Sequence, residues 1–181
     1  MDKKIVIVVA EKDFRDEEYF IPKSVFKKSG FDVVTVGSKK GVAIGLFGGE
    51  VVVENLPEEV DLKKMSAVVF VGGPGAVKYL DNEKFYKIIR STEKEELALG
   101  AICISPLILA NAGVLEDKEA TVWSSDMDKT GVKAVKEGGA IYKEKSVVVD
   151  ERLITANGPD VASDFANKVL EVIDKKVKKG I

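Results

Sequence analysis

The sequence predicts a three-layer α/β sandwich, a mostly parallel sheet with helices on both faces. Three observations carry that expectation. Continuous apolar, β-branched runs such as Ile5 to Ala10 and Ala67 to Val71 are what a parallel strand buried on both faces requires. These runs alternate with stretches of helical spacing, the pattern of strand–helix–strand units. The length of 181 residues, 45% hydrophobic and 32% charged with a mean hydropathy of +0.02, suits one domain (1–181) with a sizeable core.

Taken in order, Ile5 to Ala10 reads as the first strand and is followed by an acidic turn. Glu17 to Ser29 reads as a helix in which Phe20, Ile21, Val25 and Phe26 recur at helical spacing, with Gly30 as its C-cap. Phe31 to Val36 is a second buried strand. Gly41 to Glu54 reads as a hairpin or arm, because Phe47-Gly48-Gly49-Glu50 separates two short alternating runs. Ala67 to Val71 is a third core strand, ending in Gly72-Gly73-Pro74-Gly75. Glu83 to Glu96 is helical, Ala98 to Cys103 a short strand, and Pro106 to Ala112 a helix closed by Gly113. Ala120 to Trp123 reads as a strand and Met127 to Lys136 as a helix ended by Gly138-Gly139. Val147 to Val149 and Leu153 to Ala156 form a hairpin, and the last helix starts near Pro159 and runs to Lys178. The whole is an arrangement of the flavodoxin-like kind, whose sites lie outside the carboxyl ends of the strands. That rule directs attention to Glu11–Glu18, Gly72–Gly75, Cys103–Pro106 and Ala156–Pro159.

Composition excludes several classes. No apolar run is long enough to span a bilayer. The apolar stretch after Lys3 and Lys4 turns acidic at once with no small-residue cleavage site, so a signal peptide is not expected and the expected compartment is the cytosol. Net charge is -2 without a basic block, apart from Lys175, Lys176, Lys178 and Lys179, which suit the negative end of a helix dipole better than a nucleic acid. A single cysteine permits no internal disulfide, and the absence of histidine removes every Ser-His-Asp or Cys-His device and every histidine-held metal. Neither a metal nor a cofactor is expected. The Lys and Glu bias resembles thermophile usage.

Three segments could carry chemistry. In Ala101-Ile102-Cys103-Ile104-Ser105-Pro106 a strand delivers Cys103 to a helix start, where free N–H groups and the dipole favour thiolate. The plain alternative is a small buried hydrophobe, since free cysteines are among the most buried residues. Gly72-Gly73-Pro74-Gly75 lets backbone N–H groups approach an oxyanion, and fits no nucleotide motif; a tight turn without ligand is its alternative. Asp16, Glu17 and Glu18 complement the dipole of the first helix, and the pattern alone singles out none of them.

Together these segments resemble the DJ-1/PfpI (ThiJ/PfpI) superfamily across nearly the whole chain. The resemblance rests on the glutamate before Tyr19-Phe20-Ile21-Pro22, Val71-Gly72-Gly73, Ala101-Ile102-Cys103, Gly113-Val114-Leu115 with Ala120-Thr121-Val122, and Asn157-Gly158-Pro159. It implies that Cys103 is the family's nucleophile on a strained elbow and Glu18 the glutamate that contacts its sulfur. It implies an oxyanion site from the N–H groups of Gly73 and Ile104, and a pocket lined by Gly72, Ser105, Trp123, Ser124, Asn157, Gly158 and Pro159. Peptidase-type members place histidine directly after the cysteine; here Ile104 stands there, which disfavours a peptidase. Two functions stay open: glyoxalase- or deglycase-like action on small reactive carbonyls, and redox sensing or stress response through oxidation of Cys103. A scaffold with a vestigial cysteine is a third. The partners expected are a small-molecule substrate or oxidant and a second copy in a homodimer or larger homo-oligomer. The arm, expected to expose Phe47 and Val51 to Val53, would serve as the contact.

Overall fold

The computed structural model describes residues 3–179, with side chains through residue 177. Its central sheet joins six strands in the order β10 (Val147–Asp150), β11 (Leu153–Ala156), β7 (Ala98–Ile102), β6 (Ala67–Phe70), β1 (Lys4–Val9) and β3 (Asp32–Gly37). All neighbours are parallel except β10 against β11, which form the hairpin expected across Asp150-Glu151. Ile5 through Ala10 and Ala67 through Val71 are wholly buried, as strands covered on both faces must be. Helices α1 (Asp16–Lys28) and α6 (Ala162–Lys179) pack together on one side, and α3 (Glu83–Lys94) packs against α4 (Pro106–Asn111) on the other. The sheet is therefore flanked by helices, the three-layer, flavodoxin-like arrangement the sequence predicts.

The details differ from expectation where tertiary contacts outweigh local pattern. The buried side of α1 is Glu18, Tyr19, Pro22 and Phe26, while Phe20 and Ile21 are exposed. The acidic turn contains a short strand, β2 (Lys12–Phe14), which pairs with β4 (Gly41–Gly45) of the arm; β4 in turn pairs with β5 (Glu50–Val53). The arm thus forms a second, three-stranded sheet. Val51 and Val53 face inward and are buried, correcting their expected exposure, whereas Val42, Phe47 and Val52 stay exposed. That is the period of two that a half-covered sheet imposes. An additional helix, α2 (Pro74–Leu80), opens on the Gly-rich turn.

The expected strand from Ala120 to Trp123 shrinks to β8 (Glu119–Ala120), paired with β9 (Ile141–Tyr142). The chain leaves that ladder because the Trp123 N–H donates to the Cys103 carbonyl at 2.8 Å. Helix α5 (Thr130–Glu137) starts later than expected, after a turn in which Asp128 accepts the Thr130 N–H at 2.9 Å. Before α6 the chain makes a 3₁₀ turn at Pro159–Val161. Lys176 does not cap its own helix: its ammonium donates to the carbonyls of Glu95 and Glu96, just past α3, at 3.4 and 3.0 Å. Lys178 and Lys179 lie outside the described side chains. Among the described residues no helix is long and apolar enough to cross a membrane.

Candidate active site

Two strand-to-helix turns meet at the carboxyl end of the sheet, where a parallel sheet offers free backbone groups. At the end of β7 the chain turns through Cys103, which holds φ at +63°. A non-glycine residue there is held against local steric cost by its surroundings. Those surroundings are two hydrogen bonds: the Cys103 N–H donates to Ala156 at 2.9 Å and its carbonyl accepts from Trp123. Ser105, fully buried, donates its hydroxyl to the Val71 carbonyl at 2.8 Å and so ties this elbow to the neighbouring turn. The expectation that Ser105 lines an open pocket is corrected by that burial.

The neighbouring turn is Gly72-Gly73. The Gly72 N–H donates to Glu18 Oε2 at 2.9 Å, and its carbonyl accepts the Arg15 N–H at 3.0 Å. A Cβ on Gly72 would lie 2.5 Å from that of Cys103, so only glycine lets the turns approach this closely. Gly73 holds φ at +99°, and a Cβ there would sit 2.5 Å from the Arg15 nitrogen. The N–H groups of Gly73 and Ile104 both point to the Cys103 sulfur.

The acidic cluster divides into three separate roles. Asp16 accepts the Phe47 and Gly49 N–H groups at 2.9 and 2.7 Å and ties down the tip of the arm. Glu17 takes a forked pair of bonds from the Arg15 guanidinium at 2.8 and 3.2 Å. Glu18 is fully buried, and its carboxyl lies against the Cys103 thiol. Helix phase makes this selection, because only the third residue of the cluster turns inward.

Electrostatics corrects one expectation. Burial, followed by the Glu18 carboxylate, pushes the Cys103 thiol up to about 12, against the pull of the Gly73 and Ile104 N–H groups. The dipole of α4 does not overcome this, since that helix has only six residues and starts at Pro106. Burial likewise pushes Glu18 up to about 7, partly offset by the Gly72 N–H. The two groups titrate as a unit. Glu18 Oε1 is buried without a hydrogen-bond partner among the described residues. A proton carried on Oε1 can be donated to the sulfur, which removes the like-charge repulsion.

The remaining expected residues fall one step further out. Trp123 is half-buried and bonded to Cys103 through its backbone. Ser124 and Asn157 line a separate cavity of about 320 Å³ beside it. Gly158 is buried with a Cβ position 3.9 Å from Trp123, ordinary contact distance, so glycine is not required there. Pro159 opens the 3₁₀ turn. Arg15 is the residue that sequence reasoning misses: its backbone anchors Gly72, and its guanidinium lies 4.7 Å from the Phe47 ring centre. Its position just before the acidic triplet was the available signal. Among the described residues no group of three or more acidic or thiol side chains is placed to hold a metal ion.

Comparison with known proteins places the chain in a lineage. The model of the DJ-1/PfpI family matches residues 3–172. An uncharacterized protein of Methanocaldococcus jannaschii is 39% identical over 95% of this chain and 83% of its own length. A glutathione-independent glyoxalase of Caenorhabditis elegans is 26% identical over 95% of this chain and 89% of its own. The crystal structure of a ThiJ/PfpI domain protein from Brachyspira murdochii superposes with a TM-score of 0.89 at 32% identity, covering 96% of this chain and 97% of that one. With one family model spanning nearly every residue and likenesses that run end to end, the chain belongs to the DJ-1/PfpI family.

Proposed function

We propose that the protein acts on small reactive carbonyls in the manner of a glyoxalase or deglycase, with Cys103 as nucleophile and Glu18 as proton carrier. The observation that carries this reading is the convergence of two backbone N–H groups, from Gly73 and Ile104, and one buried carboxyl on a single sulfur. The relative named as a glyoxalase supports it.

The Glu18 carboxylate takes the Cys103 thiol proton as the sulfur attacks, so that the nucleophile is a thiolate only in that step. The sulfur attacks the aldehyde carbon of an α-oxoaldehyde, and the C=O π pair moves to oxygen. The Gly73 and Ile104 N–H groups hold that oxyanion, and Glu18 supplies its proton to give a hemithioacetal. Glu18, now a carboxylate, takes the proton from the former aldehyde carbon and returns it to the neighbouring carbon. The hemithioacetal hydroxyl gives its proton to the former ketone oxygen, so the ketone becomes an alcohol and the sulfur-bearing carbon becomes a thioester. Water then releases the 2-hydroxy acid and restores the thiol. The net change is substrate plus water to hydroxy acid, with no outside oxidant. No step protonates an amine leaving group, the task for which peptidases use imidazole, and the chain has no histidine.

The test is lactate formation from methylglyoxal. Turnover that disappears in Cys103→Ala and falls at least a hundred-fold, on the order of one general acid–base group, in Glu18→Ala supports the reading. No turnover above the Cys103→Ala control sinks it.

A second reading has its own observation. Two N–H donors at the sulfur, and a carboxyl oxygen able to donate once protonated, would hold an oxygen added to that sulfur. Peroxide would then convert the thiolate to a sulfenic acid, releasing hydroxide. Mass spectrometry after mild peroxide tests this, and an intact thiol in the native protein rejects it. Under either reading we place the protein in the cytosol, where a thiol stays reduced. We also assign the exposed side of the arm, Val42, Phe47 and Val52, to a contact between copies; sedimentation as a monomer at micromolar concentration rejects that assignment.

A further inference from the structure

The peptide unit between Gly72 and Gly73 faces the sulfur with its N–H end. In a trans peptide, as this one is, the C=O and the N–H point opposite ways. The Gly73 N–H points to the Cys103 sulfur, so the Gly72 carbonyl points away from it. With glycine on both sides, no side chain opposes rotation of this unit. A half-turn would withdraw the N–H and set a carbonyl oxygen against the sulfur. The observed orientation therefore has to be imposed from outside the turn.

The segment Asp13-Phe14-Arg15 lies where it can do so. The Arg15 N–H donates to the Gly72 carbonyl at 3.0 Å, and the Arg15 carbonyl accepts the Glu18 N–H at 3.1 Å. Glu18 Oε2 in turn accepts the Gly72 N–H at 2.9 Å. Three hydrogen bonds thus close a ring through residues 15, 18 and 72, and both main-chain polar groups of Gly72 are taken. The segment also presses on the next residue: a Cβ on Gly73 would lie 2.6 Å from the Asp13 carbonyl oxygen and 2.9 Å from the Phe14 carbonyl carbon. A bend brings the segment here. Asp13, exposed at the surface, holds φ at +56°, a region open to aspartate and glycine but not to β-branched residues. Phe14, wholly buried, anchors the far side of the bend.

We infer that Asp13–Arg15 is a brace, and that Arg15 is a positioning residue whose main chain keeps the Gly73 N–H on the Cys103 sulfur. The use of that N–H for an oxyanion rests on the reactive-carbonyl reading above. Its effect on the thiolate does not.

Two pairs of variants test the brace, each read by the rate of Cys103 alkylation with iodoacetamide at fixed pH and by methylglyoxal turnover. The first pair sets Arg15→Ala against Arg15→lactic acid, which differs from it only in exchanging the N–H for an ester oxygen. The ester should slow alkylation about ten-fold, the scale of one hydrogen bond to a charged group. It should also lower kcat with KM little changed, since an oxyanion donor acts in the transition state. The second pair sets Asp13→Val against Asp13→Gly. Both remove the same exposed carboxylate, but glycine adopts the bend and valine opposes it, so valine should show the same two losses. A segment that serves stability alone would loosen the turn when altered. Alkylation would then stay level or quicken while resistance to urea fell, and that result in either pair overturns the inference. Slowed alkylation, with no methylglyoxal turnover even in the unaltered protein, supports the brace and sinks the reactive-carbonyl chemistry.

Discussion

The two turns at the carboxyl end of the sheet are built alike and carry opposite constraints. Each follows a parallel strand, each leads into a helix with proline near its start, and each contains one residue at positive φ, Gly73 at +99° and Cys103 at +63°. At Gly73 the space is closed, because a Cβ would collide with the backbone of Asp13 and Arg15. At Cys103 a side chain is present and the strain of the left-handed conformation is borne, about 1–2 kcal/mol. Glycine therefore serves where the neighbouring chain must come close, and a strained cysteine stands where the turn must present a sulfur. The first turn supplies one N–H group to the sulfur, from Gly73, and the second supplies the sulfur together with the Ile104 N–H.

Substitutions sharpen this contrast, beginning with the largest effect. Gly73→Ala should destabilise by about 3 kcal/mol, since the new methyl meets backbone on two sides and the φ is unfavourable; urea denaturation measures it. An alanine tolerated at no cost would mean that the closed turn is not closed in solution.

Next comes the buried carboxyl that links the turns. The folded protein holds the Glu18 proton up to about 7, against an ordinary 4.5, so folded chains bind more protons than unfolded ones between those values. Its contribution is fully present below about 4.5 and is lost as pH rises through 7, up to about 3 kcal/mol. Glu18→Gln, which keeps an acceptor for the Gly72 N–H, should flatten stability across that window. It should also move the pH midpoint of Cys103 alkylation downward, because the neighbouring negative charge is gone. An alkylation midpoint that stays in place would show that burial alone governs the thiol.

Ser105→Ala should cost about 1.5 kcal/mol by leaving the Val71 carbonyl without its donor, and it should loosen the elbow relative to the glycine turn. Thermal unfolding reads the first effect and faster alkylation of Cys103 the second. The smallest effect distinguishes strain from packing. Cys103→Gly should be more stable than Cys103→Ala by about 1 kcal/mol, because only glycine adopts this φ without penalty. Equal stabilities would show that the elbow carries no strain.

Much of this was legible in the sequence. Unbroken β-branched runs could be satisfied only by strands covered on both faces, and the Gly, Pro and Cys positions marked the strand ends where a site forms. The family motifs brought Glu18, Gly72, Gly73, Cys103 and Ile104 into consideration. Reading was weakest where neighbours decide the outcome. Ala120 to Trp123 has strand composition, yet Trp123 is drawn to the Cys103 carbonyl. Phe20 and Ile21 have core composition, yet helix phase turns Glu18 inward and leaves them exposed.

The sequence by itself determined the main strands and helices and their order, though not β2, α2 or β9, together with the glycine turn and the presence of one cysteine without histidine, because periodicity and residue type are local properties. Tertiary structure alone decided which of three adjacent carboxyls enters the site, that Ser105 ties two turns together, and that the thiol is raised rather than lowered. Those outcomes depend on burial and on groups far apart in the chain, such as Glu18 beside Gly72 and Cys103 between Ala156 and Trp123. Desolvation and long-range hydrogen bonds exist only once the chain has closed around them.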